Sequence, residues 1–254
     1  MLLLFFVFSD LHEVLVQSCL DGDLNQVLQL AYYQTDQVQS LIHGEMPCIT
    51  SKEFPGDVQP GEYIHAATAM GNVEIVAQLI NLGVDPNMQS RFGTPFEIAC
   101  KNGKLDIVRL LHTHGLDLHS GEKEIWESGI YVACEKGHFD VVQFIVSVQP
   151  ELLTHESEGF ADGCILFCVA CANGNMRSVR LLAEKGIDIN GLTCLKDGTL
   201  KTPLTAACDN GCDEVIEYLI LQHVEIPRLI VEQHAKALAP AFQRYVYVTI
   251  NHDN

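Results

Sequence analysis

Cysteine is the residue type in this chain whose spacing most directly suggests chemistry. Ten cysteines lie among the 254 residues, and three of them, Cys164, Cys168 and Cys171, are separated by three and two residues. Three thiolates at this spacing could ligate an iron–sulfur cluster. The same thiols would be inert inside a packed helix, because a buried free cysteine behaves as a small hydrophobic residue. The elements that carry these cysteines therefore decide between the two interpretations.

Histidine provides a second candidate group. His112, His114 and His119 could bind a metal ion if they converged on a carboxylate such as that of Asp117. The two-residue spacing, however, puts His112 and His114 on different faces of a helix. The sequence also lacks the short motifs that bind nucleotide phosphates, hold a catalytic zinc ion or present a nucleophilic serine. We therefore predict no catalytic residues, no metal site and no cofactor.

The overall charge excludes two classes of partner. The chain has 15 Lys and Arg against 33 Asp and Glu, a formal net charge of −18, and such a surface repels the phosphates of nucleic acids and anionic membranes. No segment reaches the roughly 18 apolar residues that are needed to cross a bilayer. The apolar residues 1–8 lack the basic region and the cleavage site of a signal peptide. We expect a monomer in the cytoplasm, with the nucleus as the alternative.

A repeat organises most of the sequence. Six segments align on a glycine, at successive steps of 49, 32, 34, 37 and 37 residues. Counting from each glycine as zero, position −4 is a small residue, position +5 is Val or Ile, and position +8 is Leu or Ile. Position −3 is cysteine in five of the six segments. A period in the thirties predicts a solenoid of repeated supersecondary units. The glycines are Gly22, Gly71, Gly103, Gly137, Gly174 and Gly211.

Each column of the repeat predicts a structural role. The small residue at −4 predicts a first helix that lies close to its neighbour, and the glycine predicts a positive φ at the end of that helix. Positions +2, +5 and +8 predict the apolar face of a second helix. Thr94-Pro95 and Thr202-Pro203 predict a capped start of the first helix. Cys171 lies at −3 of this packed helix, which argues against an iron–sulfur cluster.

The repeated segments resemble ankyrin repeats. Ile64–Asn87 is similar to almost a whole unit of that family, Thr202–Gly211 to its first half and Gly186–Asn190 to its end. The resemblance covers about residues 60–224, and more weakly 9–34. It implies an all-α solenoid of stacked helix–turn–helix units with loop or β-hairpin fingers. It also implies that His65, at the histidine position of the family, bridges adjacent loops by hydrogen bonds.

The departures from a regular repeat divide the chain. The first step carries about 16 residues more than a 33-residue unit, and we assign them to an insertion or loop. The two 37-residue steps place extra residues in the loops at 149–163 and 191–201. We predict four segments: a degenerate N-terminal repeat or cap at 1–34, the insertion at 35–60, an array of about five units at 61–224, and a C-terminal cap helix with an open-ended tail at 225–254.

The resemblance implies a non-catalytic scaffold that binds a partner protein. In this family, partners contact the concave face formed by the finger tips and by the two residues before each glycine. An aromatic anchor flanked by bases there suits an acidic peptide or an acidic loop. The candidate partner-binding residues are Arg91, Phe92, Lys101, Asn102, Lys123, Ile125, Trp126, Glu135 and Lys136. Asn87 and Asn190 resemble the ankyrin asparagines that 2-oxoglutarate-dependent oxygenases hydroxylate, and they are candidate modification sites.

Two alternative functions remain open at this point. The ragged repeats and the insertion are similar to the amino-terminal ankyrin region of leucine-rich-repeat, Roco-type kinases, so the chain could be the ankyrin portion of a larger multidomain signalling protein. The second alternative is an enzyme with a site in the 34–60 or 225–254 segment.

Overall fold

The computed structural model describes residues 14–15, 17–33, 63–90, 92–114, 129–154, 156–157, 160–194, 199–226, 231, 233 and 237–240. The chain forms two compact units, Met1–Asp117 and Leu118–Asn254, which are considered separately.

The first unit is built from helix pairs. Its helices are α1 (Leu24–Tyr33), α2 (Tyr63–Met70), α3 (Val73–Asn81), α4 (Pro95–Lys101) and α5 (Leu105–Thr113). Residues 14–15 and 17–21 are also helical and precede α1. The first helices α2 and α4 pack on each other, and the second helices pack in sequence order, α1 on α3 and α3 on α5. This is the predicted helix–turn–helix repeat.

The second unit repeats the same arrangement. Its helices are α6 (Gly129–Lys136), α7 (Phe139–Val148), α8 (Asp162–Ala172), α9 (Met176–Glu184), α10 (Pro203–Asp209) and α11 (Asp213–Leu221). The first helices α6, α8 and α10 pack in sequence order, and so do the second helices α7, α9 and α11. A 3-10 helix, Pro150–Leu153, follows α7 and packs on it and on α8.

The predicted fingers include short antiparallel hairpins. In the second unit, β1 (Glu156–Ser157) pairs with β2 (Phe160–Ala161), and β3 (Thr193–Cys194) pairs with β4 (Leu200–Lys201). These hairpins occupy the two stretches in which the sequence predicted loop insertions. In the first unit, an isolated bridge joins Ser90 to Gly93.

The repeat columns form the core as predicted. The residues at −4, from Ser18 to Ala207, are all at most 1% exposed, and those at +5, from Val27 to Ile216, are fully buried. The six aligned glycines have φ between 66° and 88°, a left-handed conformation that favours glycine because a Cβ atom is disfavoured there. Glycine is therefore favoured after each first helix because the backbone has a positive φ there.

One predicted column is wrong in its detail. Residues at +2 are the first residues of the second helices, and five of the six are only half-buried. Position +4 is buried in five of the six repeats, where Ile75, Ile107, Val141, Ser178 and Val215 are at most 1% exposed. The apolar face is therefore built from +4, +5 and +8. Asp213 is the only acidic residue at +2. It is the first residue of α11, where the positive end of the helix dipole favours an acidic side chain.

Several predicted segments fall wholly or partly outside the described residues. The insertion at 35–60 and the end of the tail from 241 lie outside them. Within the predicted C-terminal cap, residues 231, 233 and 237–240 are helical, and Leu238 is buried.

Candidate functional site

A groove in the first unit brings together part of the predicted binding site. Its volume is about 290 Å³. Three of its lining residues, Phe92, Lys101 and Asn102, were predicted from the sequence. The others come from the first helices of three successive repeats. The full lining is Leu20, His65, Ala66, Ala69, Phe92, Ile98, Lys101 and Asn102.

Phe92 is presented at the tip of a tight turn. Its backbone N–H donates to Ser90 Oγ at 3.1 Å, and that hydroxyl donates to the Gly93 carbonyl oxygen at 2.8 Å. Gly93 has φ of 100°, and a Cβ atom there would collide with the Glu97 carboxylate. The turn therefore requires glycine. It leaves the Phe92 side chain 61% exposed.

The helix that follows this turn is fixed at its start. Thr94 Oγ1 accepts from the Glu97 N–H at 3.2 Å, and Glu97 Oε2 accepts from the Thr94 N–H at 2.8 Å. This capping box, with Pro95 as the first helical residue, confirms the predicted start of α4. Because α4 ends at Lys101, a fixed start also sets where Lys101 and Asn102 lie at the groove.

His65 lies at the base of the groove and holds the finger. The side chain is 3% exposed, and its Nε2 lies 2.8 Å from the Met88 carbonyl oxygen. This bond ties α2 to the loop that follows α3, and the predicted bridging of adjacent loops by His65 stays a prediction.

The predicted site residues of the second unit lie at the end of α6. Glu135 and Lys136 are exposed, and Lys136 Nζ pairs with Glu135 Oε1 at 3.5 Å. An exposed pair of this kind contributes little to stability. At the end of α10, Asp209 Oδ2 forms a shorter ion pair, 2.8 Å from Lys201 Nζ on β4. The residues before the glycines are thus at the surface in both units.

Four of the predicted site residues belong to segments between the described ones. Arg91, Lys123, Ile125 and Trp126 lie outside the described residues, and so does His119 of the histidine group. The predicted contribution of Trp126 stays a prediction.

The two candidate modification sites differ in exposure. Asn87 is exposed, and its backbone N–H donates to Asp85 Oδ1 at 2.8 Å. Asn190 is half-buried, and its side-chain oxygen accepts from the Glu225 N–H at 2.8 Å. Hydroxylation of either residue stays a prediction, and Asn87 is the more accessible of the two.

A column that the sequence did not reveal links successive repeats. Asn72 Nδ2 donates to the Cys19 carbonyl oxygen at 2.7 Å, and Asn175 Nδ2 bonds the Cys134 carbonyl oxygen. Both asparagines lie at +1 and cover the glycine of the preceding repeat, as Lys104 does for Gly71. The sequence did not predict the role of position +1, because the residue type at this position differs between repeats.

The thiols that first suggested chemistry are mostly buried. The nine described cysteines are free, and all five at −3 are at most 6% exposed. Burial raises the pKa of the Cys168 thiol to about 12, so at neutral pH it is protonated and a poor ligand. Within the described residues, no group of three or more His, Cys, Asp or Glu side chains could hold a metal ion.

Comparison with known proteins identifies the family. The model "Ankyrin repeats (3 copies)" matches residues 15–122, 63–152 and 130–228. These matches extend over most of the sequence, and the chain belongs to the ankyrin-repeat family.

Individual relatives cover different parts of the chain. Alpha-latroinsectotoxin-Lt1a of Latrodectus tredecimguttatus is 31% identical over 106 residues, which are 41% of this chain and 7% of the toxin. This chain therefore matches only a small part of that relative. The crystal structure of the human ASB11 ankyrin repeat domain has a TM-score of 0.59 and 20% identity over 84% of this chain and 85% of that one. The likeness to ASB11 shows the fold. None of the helices in the described part of the chain is long and apolar enough to span a membrane.

Proposed function

We propose that this chain is a non-catalytic scaffold that binds a partner protein at the groove of its first unit. Ankyrin repeats generally mediate protein–protein interaction. The observation that carries the proposal for this chain is the exposed Phe92 ring beside a groove of about 290 Å³.

The groove has the composition of a small interface centre. Leu20, Ala66 and Ile98 give it apolar walls, and Lys101 and Asn102 supply a charge and an amide at its edge. Interfaces typically place aromatic anchors at the centre and polar groups at the rim. An acidic segment of the partner would place a carboxylate near Lys101.

Loss of the Phe92 ring tests the proposal. Proteins captured from cells by the full chain would be compared with those captured by Phe92→Ala. The matched control is Leu200→Ala, because Leu200 is 60% exposed and belongs to the second unit. The expected result is a partner whose affinity falls at least about fivefold with Phe92→Ala, the loss of more than about 1 kcal/mol that marks an important contact. A partner that binds Phe92→Ala and the wild type equally would place the interface elsewhere.

A further inference from the structure

Asparagine is followed directly by glycine at four places in this chain. Asparagine is one of the chemically labile residues, and it is most labile before glycine. There the next backbone nitrogen can attack the side-chain carbonyl carbon, and glycine has no side chain to hinder the attack. Each pair is therefore a candidate for spontaneous deamidation. The four asparagines are Asn102, Asn173, Asn190 and Asn210.

The backbone does not distinguish the pairs at the ends of α4 and α10. Asn102 has φ of −99° and ψ of 4°, and Asn210 has φ of −101° and ψ of 0°. In both pairs, the N–H of the following glycine donates to the carbonyl oxygen of the cysteine at −3, at 3.2 Å. Both asparagines are exposed. A difference in their reactivity would therefore come from the side chains.

The side chains of the two equivalent asparagines in the second unit are held by hydrogen bonds. Asn210 Nδ2 donates to the Ala206 carbonyl oxygen at 3.1 Å. Asn173 Nδ2 donates to the Val169 carbonyl oxygen at 2.9 Å. Each amide is thus turned back along its own helix and away from the glycine that follows. This bond has to break before the side chain can react.

The Asn102 side chain is not held in this way. Within the described part of the chain, its amide forms no hydrogen bond, although it occupies the same position relative to its helix and its glycine. The remaining asparagine, Asn190, is half-buried, and its Oδ1 accepts from the Glu225 N–H at 2.8 Å. Of the four side chains, that of Asn102 is therefore the one that reaches the attacking nitrogen without breaking a hydrogen bond.

We propose that Asn102 is a site of spontaneous deamidation. The Gly103 nitrogen attacks Asn102 Cγ and closes a succinimide ring, and the side-chain nitrogen leaves as ammonia with the proton of the Gly103 N–H. One water molecule from the solvent then opens the ring. Opening at the side-chain carbonyl leaves aspartate, and opening at the backbone carbonyl leaves isoaspartate. The reaction needs neither an enzyme nor an oxidant.

The product changes the groove of the first unit. Asn102 lines this groove together with Phe92 and Ile98, so a carboxylate replaces a neutral amide there. Asn102 is also the C-cap of α4, where the negative end of the helix dipole disfavours a carboxylate. Isoaspartate in addition inserts a methylene group into the backbone before Gly103. The chemistry does not depend on the proposed function, but it alters the surface to which that function is assigned.

Ageing of the purified full chain tests this proposal with controls inside the same molecule. The protein is kept reduced at mildly alkaline pH and physiological temperature. Digestion at acid pH and mass spectrometry then give the fraction of each asparagine converted to the acid. A hydrogen bond of typical net strength should slow the reaction roughly two- to tenfold. Asn102 should therefore deamidate at least about threefold faster than Asn173, Asn190 or Asn210.

The unfolded chain controls for the sequence around each pair. In guanidinium chloride the side-chain bonds are lost, so the four rates should become similar. Equal rates in the folded protein, or a preference for Asn102 that persists unchanged in the denaturant, would overturn the proposal. Chromatographic separation of the product peptides should show both aspartate and isoaspartate at Asn102. Aspartate alone would indicate direct hydrolysis instead of attack by the Gly103 nitrogen, and it would overturn the proposed route.

Discussion

At the scale of single residues, position −3 of the first helices shows how narrowly the core is specified. Five repeats carry a buried cysteine there, and the remaining one carries Thr68, which is fully buried. Thr68 Oγ1 has no hydrogen-bond partner among the described residues. An unpaired buried hydroxyl costs about 1–3 kcal/mol. Thr68→Val should therefore raise the free energy of unfolding by about 1 kcal/mol, measured by urea denaturation.

The control for this prediction is a threonine whose hydroxyl is used. Thr205 Oγ1 accepts from the Thr202 N–H at 2.9 Å in the capping box of α10. Thr205→Val should lower the free energy of unfolding, because the same change of shape leaves a backbone N–H without its partner. If both substitutions destabilise the protein equally, the Thr68 hydroxyl is paired in solution.

The small residues at −4 set the distance between neighbouring first helices. Ala99 and Ala133 are fully buried, so Ala99→Leu or Ala133→Leu should lower the free energy of unfolding by about 1–3 kcal/mol through overpacking. The exposed change Lys101→Ala should stay within about 0.5 kcal/mol. Chemical denaturation compares the three variants. Equally small effects would show that the −4 column tolerates larger side chains.

At the scale of the element, the capped starts of α4 and α10 are each fixed by two bonds. Thr94→Ala removes the acceptor of the Glu97 N–H and should lower the free energy of unfolding by about 0.5–2 kcal/mol. It should also weaken partner binding, because this cap sets the start of the helix that carries Lys101. Thr113→Ala is the control, since among the described residues Thr113 Oγ1 donates only to the Leu110 carbonyl oxygen, within α5. If Thr94→Ala lowers the stability but leaves the affinity for the partner unchanged, the cap does not influence binding at the groove.

The elements also show what the sequence could and could not predict. Glycine, Thr-Pro and the buried columns were predictable, because each expresses a local backbone or packing requirement that recurs at a fixed spacing. The role of +2 was misjudged, because a residue that begins a helix and one that faces the core are both often apolar. Leu20 and Ala66 were absent from the predicted site, because an ordinary apolar residue gives no signal until folding brings it beside Phe92 and Lys101.

At the scale of the whole molecule, family membership and binding chemistry come from different residues. The ankyrin fold depends on the buried columns, which recur in each repeat of the residues that the family model matches. The groove depends on exposed residues such as Phe92, Lys101 and Asn102, which do not belong to the buried columns. Identity of 20% with a solved relative therefore specifies the architecture, and the partner has to be inferred from the surface of this chain.

The buried thiols, taken together, should make the whole molecule sensitive to alkali. Burial raises the pKa of Cys19 and of Cys134 to about 12, and that of Cys208 to about 11. An unfolded cysteine has a pKa of about 8.5. Above that pH the unfolded chain releases thiol protons that the folded chain retains, so alkali favours unfolding. The stabilising effect is complete below about pH 8.5 and is lost as the pH rises towards the folded values.

The magnitude is large enough to measure. Each such thiol lowers the free energy of unfolding by about 1.4 kcal/mol per pH unit within this window. Urea denaturation at several pH values from 7.5 to about 10 should show a steep fall. In Cys134→Ala the slope should be shallower by about 1.4 kcal/mol per pH unit, while lysine and tyrosine titration affects both proteins alike. An unchanged slope would mean that Cys134 ionises in the folded state, and it would contradict this prediction.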